Sequence, residues 1–289
     1  MRVGLMLPLG DEPAPGVAEN FAEINALARE VEAAGLDSVW LYDHLLMRTG
    51  DETPSASWEA LTLMSALAGT TRRVTLGTLV ACNSFRHPAL LARMAHTLAE
   101  ISGDRVILGV GAGWHEPEYR AFGFPFDHRV DRFAEGLEII ATMLREGVVT
   151  LDGRYYQVRD CPLLPRRSAA APMPILVGAR RPRMLRLVAR WADAWNTAWY
   201  ASPDERFAET RAAFRDACAA EGRDPAEIEV TVGMLVGEGE RMTPRDPAAV
   251  ADALAAWRNE GVGHLICWLD PTDAVAVDAL TEGVRRLGT

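Results

Sequence analysis

The stretch "REVEAAGLDSVWLYDHLL" (residues 29–46) contains one complete transition from helix to strand. An amphipathic helical pattern ends at Gly35, a residue typical of helix termination. The apolar run over 38–43 has the length and composition of a buried strand. The strand ends in Asp43 and His44, two polar side chains that are costly to bury unless they are hydrogen-bonded or face a cleft. The stretch therefore predicts a helix–strand unit that ends in a functional or capping pair.

The same alternation of strand and helix recurs along the chain. The predicted strands cover 3–9, 38–43, 74–81, 106–111, 175–178, 194–197, 228–236 and 264–269. The predicted helices cover 19–34, 57–67, 88–101, 131–145, 182–191, 203–221, 247–260 and 272–287. Such alternation indicates a parallel sheet, and eight units in 289 residues predict an α/β fold, a closed (β/α)8 TIM barrel, as one domain over residues 1–289. An open doubly wound sheet is the alternative, but the first strand ends "LPLGDEPAPG", which lacks the expected glycine fingerprint.

The alternation is interrupted after the fourth predicted strand. The segment "GVVTLDGRYYQVRDC" (147–161) alternates polar and apolar residues around Asp152-Gly153, a dipeptide typical of hairpin turns. A loop rich in proline and arginine follows from Pro162 to Pro174. We predict that residues 147–173 form an insertion with a β-hairpin and no separate domain.

Composition excludes several classes of function. The formal net charge is −10, which opposes sequence-independent binding of nucleic acid. No apolar run is long enough to span a membrane, and "MRVGLMLPLG" lacks the pattern of a secretory signal, so we expect a cytoplasmic protein. All 30 basic residues are arginine, which excludes a Schiff-base or P-loop lysine. The four cysteines lack the Cys-x-x-Cys spacing, so no metal site is expected.

Polar side chains gather where the predicted strands end, the face that carries the active site of a barrel. Asp43 and His44 follow the second strand; they either cap the next turn or face a bound heterocycle, with His44 as an acid or base. The segment "GVGAGWHEPEY" (109–119) follows the fourth strand. It predicts either a tight turn or close approach by a flat ligand, with Trp114 beside it.

An arginine-rich segment follows the fifth predicted strand. "VGARRPRMLRLVAR" (177–190) contains five arginines and no acid. One interpretation is a basic face exposed to solvent. The other is an anion site at a helix N-terminus, to which Arg180 and Arg181 add bidentate contacts.

Several segments together resemble the luciferase-like monooxygenase superfamily, a group of (β/α)8 flavin and deazaflavin enzymes, and most closely its coenzyme F420 branch. The resemblance is specific in the order and spacing of its segments and extends from Met1 to about Thr197. The segments are "AGLDSVWLYDHL", "VTLGTLVACNSFRHPALLARMA", "GDRVILGVGAGWHEPEYRAFGFPF", "PILVGARRPRMLRLVARWADAWN" and the hairpin insertion.

The resemblance implies roles for individual residues. Asp43 and His44 would lie beside the deazaflavin ring, and Leu79–Val80 would form a non-proline cis peptide behind it. The candidate catalytic residues are His44, Asp43 and Trp114, with His44 as the proton donor or acceptor. The candidate cofactor-binding residues are Asp43, Thr78, Leu79, Val80, Asn83, Gly111, Gly113, His115, Gly178, Ala179 and Arg180, of which the last three match the phosphate loop.

Two departures from the family pattern bear on function. The phosphate loop has Gly-Ala-Arg-Arg where many relatives have two glycines and no arginine. Trp114 occupies the position of a glutamate in the sugar-phosphate dehydrogenase branch, so a general acid from that position is absent and that substrate is disfavoured.

Three hypotheses follow. The first is an F420-dependent oxidoreductase that transfers hydride to or from a small organic substrate. The second is an FMN-dependent monooxygenase on the same barrel, and the third is a barrel that binds the cofactor without catalysis. We expect the loops 47–57, 115–128 and 147–173 to build the substrate pocket, and exposed aromatic residues near the insertion are compatible with a homodimer.

Overall fold

Eight parallel strands close into a barrel in the computed structural model, which describes residues 1–10, 18–48, 55–166 and 172–288. The strands are β1 (Arg2–Met6), β2 (Ser38–Leu41), β3 (Thr75–Thr78), β4 (Val106–Gly111), β5 (Ile175–Gly178), β6 (Ala194–Tyr200), β7 (Glu229–Gly237) and β8 (His264–Asp270). Each strand pairs with the next, and β8 returns to β1 with Arg2 opposite His264. The barrel prediction is confirmed, and the open sheet is excluded because β1 and β8 are paired.

Helices follow the strands at nearly all predicted positions. They are α1 (Phe21–Ala33), α2 (Ala60–Thr70), α3 (Pro88–Ser102), α4 (Glu116–Phe122), α5 (Arg129–Glu146), α6 (Pro182–Trp191), α7 (Glu205–Glu221), α8 (Pro247–Asn259) and α9 (Ala274–Leu287). The short helix α4 was not predicted. The predicted helix 203–221 begins two residues later, at Glu205, because Asp204 is its N-cap and its carboxylate accepts from the Phe207 backbone N–H at 2.9 Å. Across the described ranges, no helix combines the length and apolar character that a membrane crossing needs.

A cluster of buried apolar side chains fills part of the barrel interior. Its central side chain is Trp40, which is fully buried. Glycine at position 77 makes room for the indole, since a Cβ there would lie 2.3 Å from Trp40 Cζ3. The indole N–H donates to Ser38 Oγ at 2.8 Å, and burial lowers the pKa of the neighbouring His264 to about 3, which keeps that ring neutral. The described side chains of this cluster therefore fill this part of the barrel interior.

The insertion after β4 contains the predicted hairpin. Val148–Asp152 pairs antiparallel with Gln157–Pro162. The carboxylate of Glu135 on α5 accepts from the backbone N–H groups of Arg154, Tyr155 and Tyr156 at 2.8–3.0 Å, which fixes the hairpin turn against the barrel. Parts of two predicted substrate loops, residues 49–54 and 167–171, lie outside the described residues.

Candidate active site at the carboxyl ends of the strands

A cavity of about 540 Å³ opens at the carboxyl ends of the strands. The loops after β2, β3, β4 and β5 line one part of it, and aromatic residues from β6 and β8 line another. The predicted site residues that line it are Asp43, His44, Leu79, Val80, Gly111, Gly113, Trp114, Gly178, Ala179 and Arg180. The barrel topology thus brings together residues that lie far apart in the sequence.

Three predicted cofactor-binding residues are not among those that line this cavity. Thr78 Oγ1 donates to Gly109 O at 2.7 Å and so joins β3 to β4. Asn83 Nδ2 donates to Tyr156 Oη at 3.3 Å, which ties the loop after β3 to the hairpin. His115 Nε2 accepts from the Arg48 backbone N–H at 3.0 Å. Each of the three joins one part of the protein to another.

His115 is a neutral structural residue in this arrangement. Burial lowers its pKa, and a charge on His44 would lower it further, although the nearby carboxylate of Glu118 opposes both effects. A neutral ring is what the bond to Arg48 requires, because Nε2 must be unprotonated to accept. His115 therefore holds the loop after β2.

Asp43 is buried and its carboxylate is fully engaged. Arg86 makes a bidentate contact to it, with Nη1 2.6 Å from Oδ2 and Nη2 2.9 Å from Oδ1. The Cys82 backbone N–H also donates to Oδ2, at 2.9 Å. Bidentate, charge-assisted pairs of this kind fix geometry as well as adding energy. Asp43 therefore joins the loop after β3 to the end of β2. Asp43 is also one of the residues that line the cavity.

Arg86 also forms an ion pair with a second carboxylate, that of Glu59. Glu59 contacts Arg86 Nη2 and also caps α2 by accepting from the Thr62 backbone N–H at 2.6 Å. Burial alone would raise the pKa of Glu59, but the bonds from Thr62 and Arg86 outweigh it and hold the pKa below its usual range. Burial would likewise lower the pKa of Arg86, yet Asp43 and Glu59 raise it. Glu59 and Arg86 are thus charged at neutral pH.

His44 pairs with a glutamate that the sequence analysis did not single out. Its Nδ1 lies 3.0 Å from Oε1 of Glu118, which is 1% exposed. The other carboxylate oxygen of Glu118 accepts from the Leu45 backbone N–H at 3.0 Å. The carboxylate selects the tautomer with a proton on Nδ1. Within the described part of the chain nothing hydrogen-bonds His44 Nε2, so that nitrogen is available to a ligand in the cavity.

Trp114 lies at the cavity mouth with 62% of its surface exposed. Its ring meets His44 edge to face, with centroids 5.5 Å apart. It therefore packs beside the His44 ring and offers no ionisable group.

Behind the cavity, the Leu79–Val80 peptide bond is cis, as the family resemblance implied. The Val80 side chain occupies space that glycines at 111 and 178 leave open. A Cβ at Gly111 would lie 2.6 Å from Val80 Cγ2, and one at Gly178 would lie 3.3 Å from Cγ1. These glycines therefore make room for the Val80 side chain at the wall of the cavity.

An anion-compatible surface lies after β5. Arg180, Arg181 and Arg129 line the cavity there, and α6 begins with Pro182. The first turn of α6 has neither an acidic residue nor a side-chain cap, so its N–H groups are open to an anion. The surface suits a phosphate or carboxylate.

Cys82 also lines the cavity but is unsuited to nucleophilic attack. Burial raises the pKa of its thiol to about 12. The Cys82 sulfur lies 3.0 Å from Tyr119 Oη, whose own hydroxyl donates to Ala112 O at 3.0 Å. The thiol therefore stays protonated at neutral pH, and covalent catalysis through it is disfavoured.

The remaining wall of the cavity is aromatic. Tyr42 and Trp268 stack with centroids 5.4 Å apart and planes 16° from parallel. Trp199 meets Trp268 edge to face at 5.5 Å. These rings provide an apolar surface opposite in character to the arginines after β5.

Comparison with known proteins places this geometry in a family context. A sequence model described as luciferase-like monooxygenase matches residues 1–269. The F420-dependent glucose-6-phosphate dehydrogenase of Beutenbergia cavernae is 34% identical over 265 residues, which cover 89% of this chain and 73% of that protein. Pyrimidine monooxygenase RutA of Methylobacterium radiotolerans is 32% identical over 208 residues, which cover 67% of this chain but only 53% of that protein.

Solved structures share the fold. An F420-dependent secondary alcohol dehydrogenase in complex with an F420-acetone adduct superimposes with a TM-score of 0.83 at 18% identity. The match covers 99% of this chain and 98% of that one. At this identity, the similarity concerns the barrel architecture.

Proposed function

The chain belongs to the luciferase-like monooxygenase family, and we propose that it is an oxidoreductase that uses coenzyme F420 to transfer hydride to or from a small organic substrate. One observation carries the proposal: a single cavity holds both the arginines after β5 and a histidine whose tautomer is fixed by a buried carboxylate. The F420-dependent dehydrogenases among the relatives support the same assignment.

The residues of the cavity fit this cofactor. F420 carries a phosphodiester and glutamates on its tail, which suit Arg129, Arg180, Arg181 and the open N-terminus of α6. The Val80 side chain, which glycines at positions 111 and 178 accommodate at the cavity wall, offers an apolar surface that suits the face of its ring. When bound, F420 supplies a ring carbon that donates or accepts hydride.

The protein's own residues divide the remaining work. His44 holds or moves a proton at Nε2, because Glu118 occupies Nδ1. Asp43 positions the loop that carries Val80, since its oxygens are already bound by Arg86 and Cys82. Trp114 packs against His44 and limits its rotation.

A second candidate is an FMN-dependent monooxygenase on the same barrel. The pyrimidine monooxygenase relatives favour it, although this chain spans about half of their length. FMN would place one phosphate on the arginine surface and leave no further carboxylates for the remaining arginines. The charge of the surface therefore favours the longer anionic tail of F420.

A titration of the purified protein with each cofactor tests the proposal. We expect F420 to bind at least about tenfold more tightly than FMN, a difference of roughly 1.4 kcal/mol. Changes in cofactor absorbance and in tryptophan fluorescence report binding. Tight FMN binding without measurable affinity for F420 would replace the first candidate by the second.

The substitution Arg180→Ala tests the anion surface. We expect a weaker F420 complex by about fivefold at low salt, since an exposed charge pair contributes up to about 1 kcal/mol. The loss should shrink as ionic strength rises. Arg186→Ala is the matched control, because Arg186 is exposed on the same helix and does not line the cavity. Equal effects of the two substitutions would remove Arg180 from the site.

The sequence prediction of a small-molecule substrate accords with the cavity volume of about 540 Å³. The absence of a nucleic-acid partner and the formation of a homodimer stay predictions. Sedimentation of the purified protein tests the homodimer.

A further inference from the structure

The arginines that line the active-site cavity lie on one side of the barrel. Arg129 is the first residue of α5, on the segment after β4, and Arg180 and Arg181 follow β5. Strands β4 and β5 are neighbours. Strand β1 lies between β8 and β2, and in a closed ring of eight strands it is across the barrel from β5. The basic side of the cavity is therefore across the barrel from the side formed by β8, β1 and β2.

The side formed by β8, β1 and β2 presents apolar groups that a ligand can reach. Tyr42 follows β2, Met47 lies on the segment beyond it, and Trp268 is on β8; all three line the cavity. Each remains partly exposed, although the Tyr42 and Trp268 rings stack on each other. His44 also follows β2 and lines the same side. A substrate placed next to His44 on this side therefore meets apolar side chains rather than arginines.

A second cavity of about 320 Å³ continues this apolar side. It shares Gly10, Tyr42 and Trp268 with the first cavity, and Pro8 and Pro271 add apolar surface that is partly or fully exposed. Among its described lining residues none is basic and two are carboxylates. The segments 11–17 and 49–54, which lie outside the described residues, contain no arginine, lysine or histidine. An anionic group at this end would lose its hydration without gaining a cation, which is costly.

We propose that the substrate is a neutral, apolar organic compound. Its apolar part lies along the ends of β8, β1 and β2 and extends into the second cavity, and its reacting carbon lies next to His44. The inference rests on the proposed function, because the anionic tail of F420 then occupies the arginines on the other side. Sugar phosphates and other anions are excluded as substrates, since their charge would lie on the side without arginine.

A homologous series of ketones tests the apolar side. The protein is first saturated with F420, so that the cofactor site is filled, and is then titrated calorimetrically with butan-2-one, hexan-2-one and octan-2-one. We expect the affinity to rise about tenfold for each two added methylene groups, because the free energy gained scales with the apolar area that is buried. Equal affinities across the series would overturn the inference.

A matched pair of probes tests the exclusion of anions. 5-Methylhexan-2-one and 4-oxopentanoate have nearly the same shape, because an isopropyl group in the first replaces the carboxylate of the second. We expect the neutral ketone to bind at least about tenfold more tightly. The preference should persist at about 0.5 M sodium chloride, which screens general repulsion by the net charge of −10. Equal affinities of the two probes would overturn the inference.

A substitution in the second cavity tests where the apolar part lies. Thr272 lines the second cavity and not the first. Thr272→Phe fills space there, so it should weaken octan-2-one binding about tenfold and leave butan-2-one within about twofold. Thr97→Phe adds the same ring at an exposed position on α3 outside both cavities and should change neither affinity. Equal losses in the two variants, or no loss in Thr272→Phe, would overturn the inference.

Failure of the substrate class and failure of the proposed function are distinguishable. If F420 binds but affinity is independent of ketone length, only the substrate class fails. If F420 does not bind, the series is run on the protein without cofactor. A length dependence that Thr272→Phe abolishes would then retain the apolar binding site while the proposed function fails.

Discussion

The substitution His44→Ala should lower the turnover of the F420-linked reaction by about 100-fold or more while leaving F420 affinity within about threefold, because a positioned proton-transfer group contributes 10²–10⁴-fold. His44 Nε2 is the ring nitrogen available to the cavity, since Nδ1 is occupied by Glu118. Turnover is followed through deazaflavin absorbance, on the fastest substrate from a panel of small alcohols and carbonyl compounds.

His115→Gln is the matched control for this prediction. The His115 ring centroid lies 6.3 Å from that of His44, but His115 accepts from the Arg48 backbone N–H and does not line the cavity. Gln retains an acceptor, so turnover should stay within about threefold, the range expected without loss of a proton-transfer group. A turnover loss in His115→Gln as large as that in His44→Ala would contradict the assignment.

Glu118→Gln separates orientation from proton transfer. The amide oxygen can still accept from Nδ1, but the negative charge that stabilises a protonated ring is lost. We expect an intermediate loss of turnover, about tenfold, with unchanged F420 affinity. Full activity in this variant would show that the pair only supports the loop after β2.

The sequence predicted the barrel well because its signals are local. The bounds of β4 and β5 match their predictions, since short apolar runs flanked by glycine or polar residues determine them. The same signals placed Asp43 and His44 at a strand end. Local patterns thus decided which residues face the cavity end of the barrel.

The partners of these two residues could not be found in this way. Arg86 is 43 positions from Asp43, and Glu118 is 74 positions from His44. Both contacts depend on how loops from neighbouring strands meet, and no pattern within either segment records that. Glu118 was also missed because the short helix α4 was not predicted. The spacing of the acidic residues in α4 therefore could not be interpreted as a helical spacing.

Sequence position alone also left side-chain direction undecided. Thr78 and His115 are close in sequence to strand ends, as the prediction required, yet both are turned toward neighbouring backbone. Val80 instead borders the cavity. The polypeptide turns sharply after β3 and β4, so the regular alternation of strand side chains no longer applies there.

The ion-pair cluster of Asp43, Arg86 and Glu59 should be the part of the loop after β3 at which substitutions reduce stability most. Removing one partner of a buried ion pair typically costs about 3–5 kcal/mol, because the other charge is left without compensation. The Arg86 side chain is only 10% exposed, and that of Asp43 is fully buried. We therefore expect Asp43→Ala to reduce the free energy of unfolding by about 3–5 kcal/mol in urea denaturation.

The exposed pair of Arg120 and Glu116 is the control for this prediction. Their side chains are 77% and 52% exposed, and Glu116→Ala should change stability by less than about 0.5 kcal/mol. Glu59 adds an acid-sensitive contribution. Because its folded-state pKa is lowered, the stabilisation it provides is present above the ordinary glutamate pKa and is lost as pH falls through the lowered value.

A double-mutant cycle distinguishes the ion pair from simple loss of packing. Asp43→Ala and Arg86→Ala each leave a buried charge, whereas the double substitution leaves only Glu59, whose side chain is 35% exposed and accessible to water. The double variant should therefore be more stable than the sum of the two single losses predicts, by about 1–3 kcal/mol. Strict additivity would mean that Asp43 and Arg86 stabilise the loop independently. The assignment of their ion pair as the contact that holds the loop would then fail.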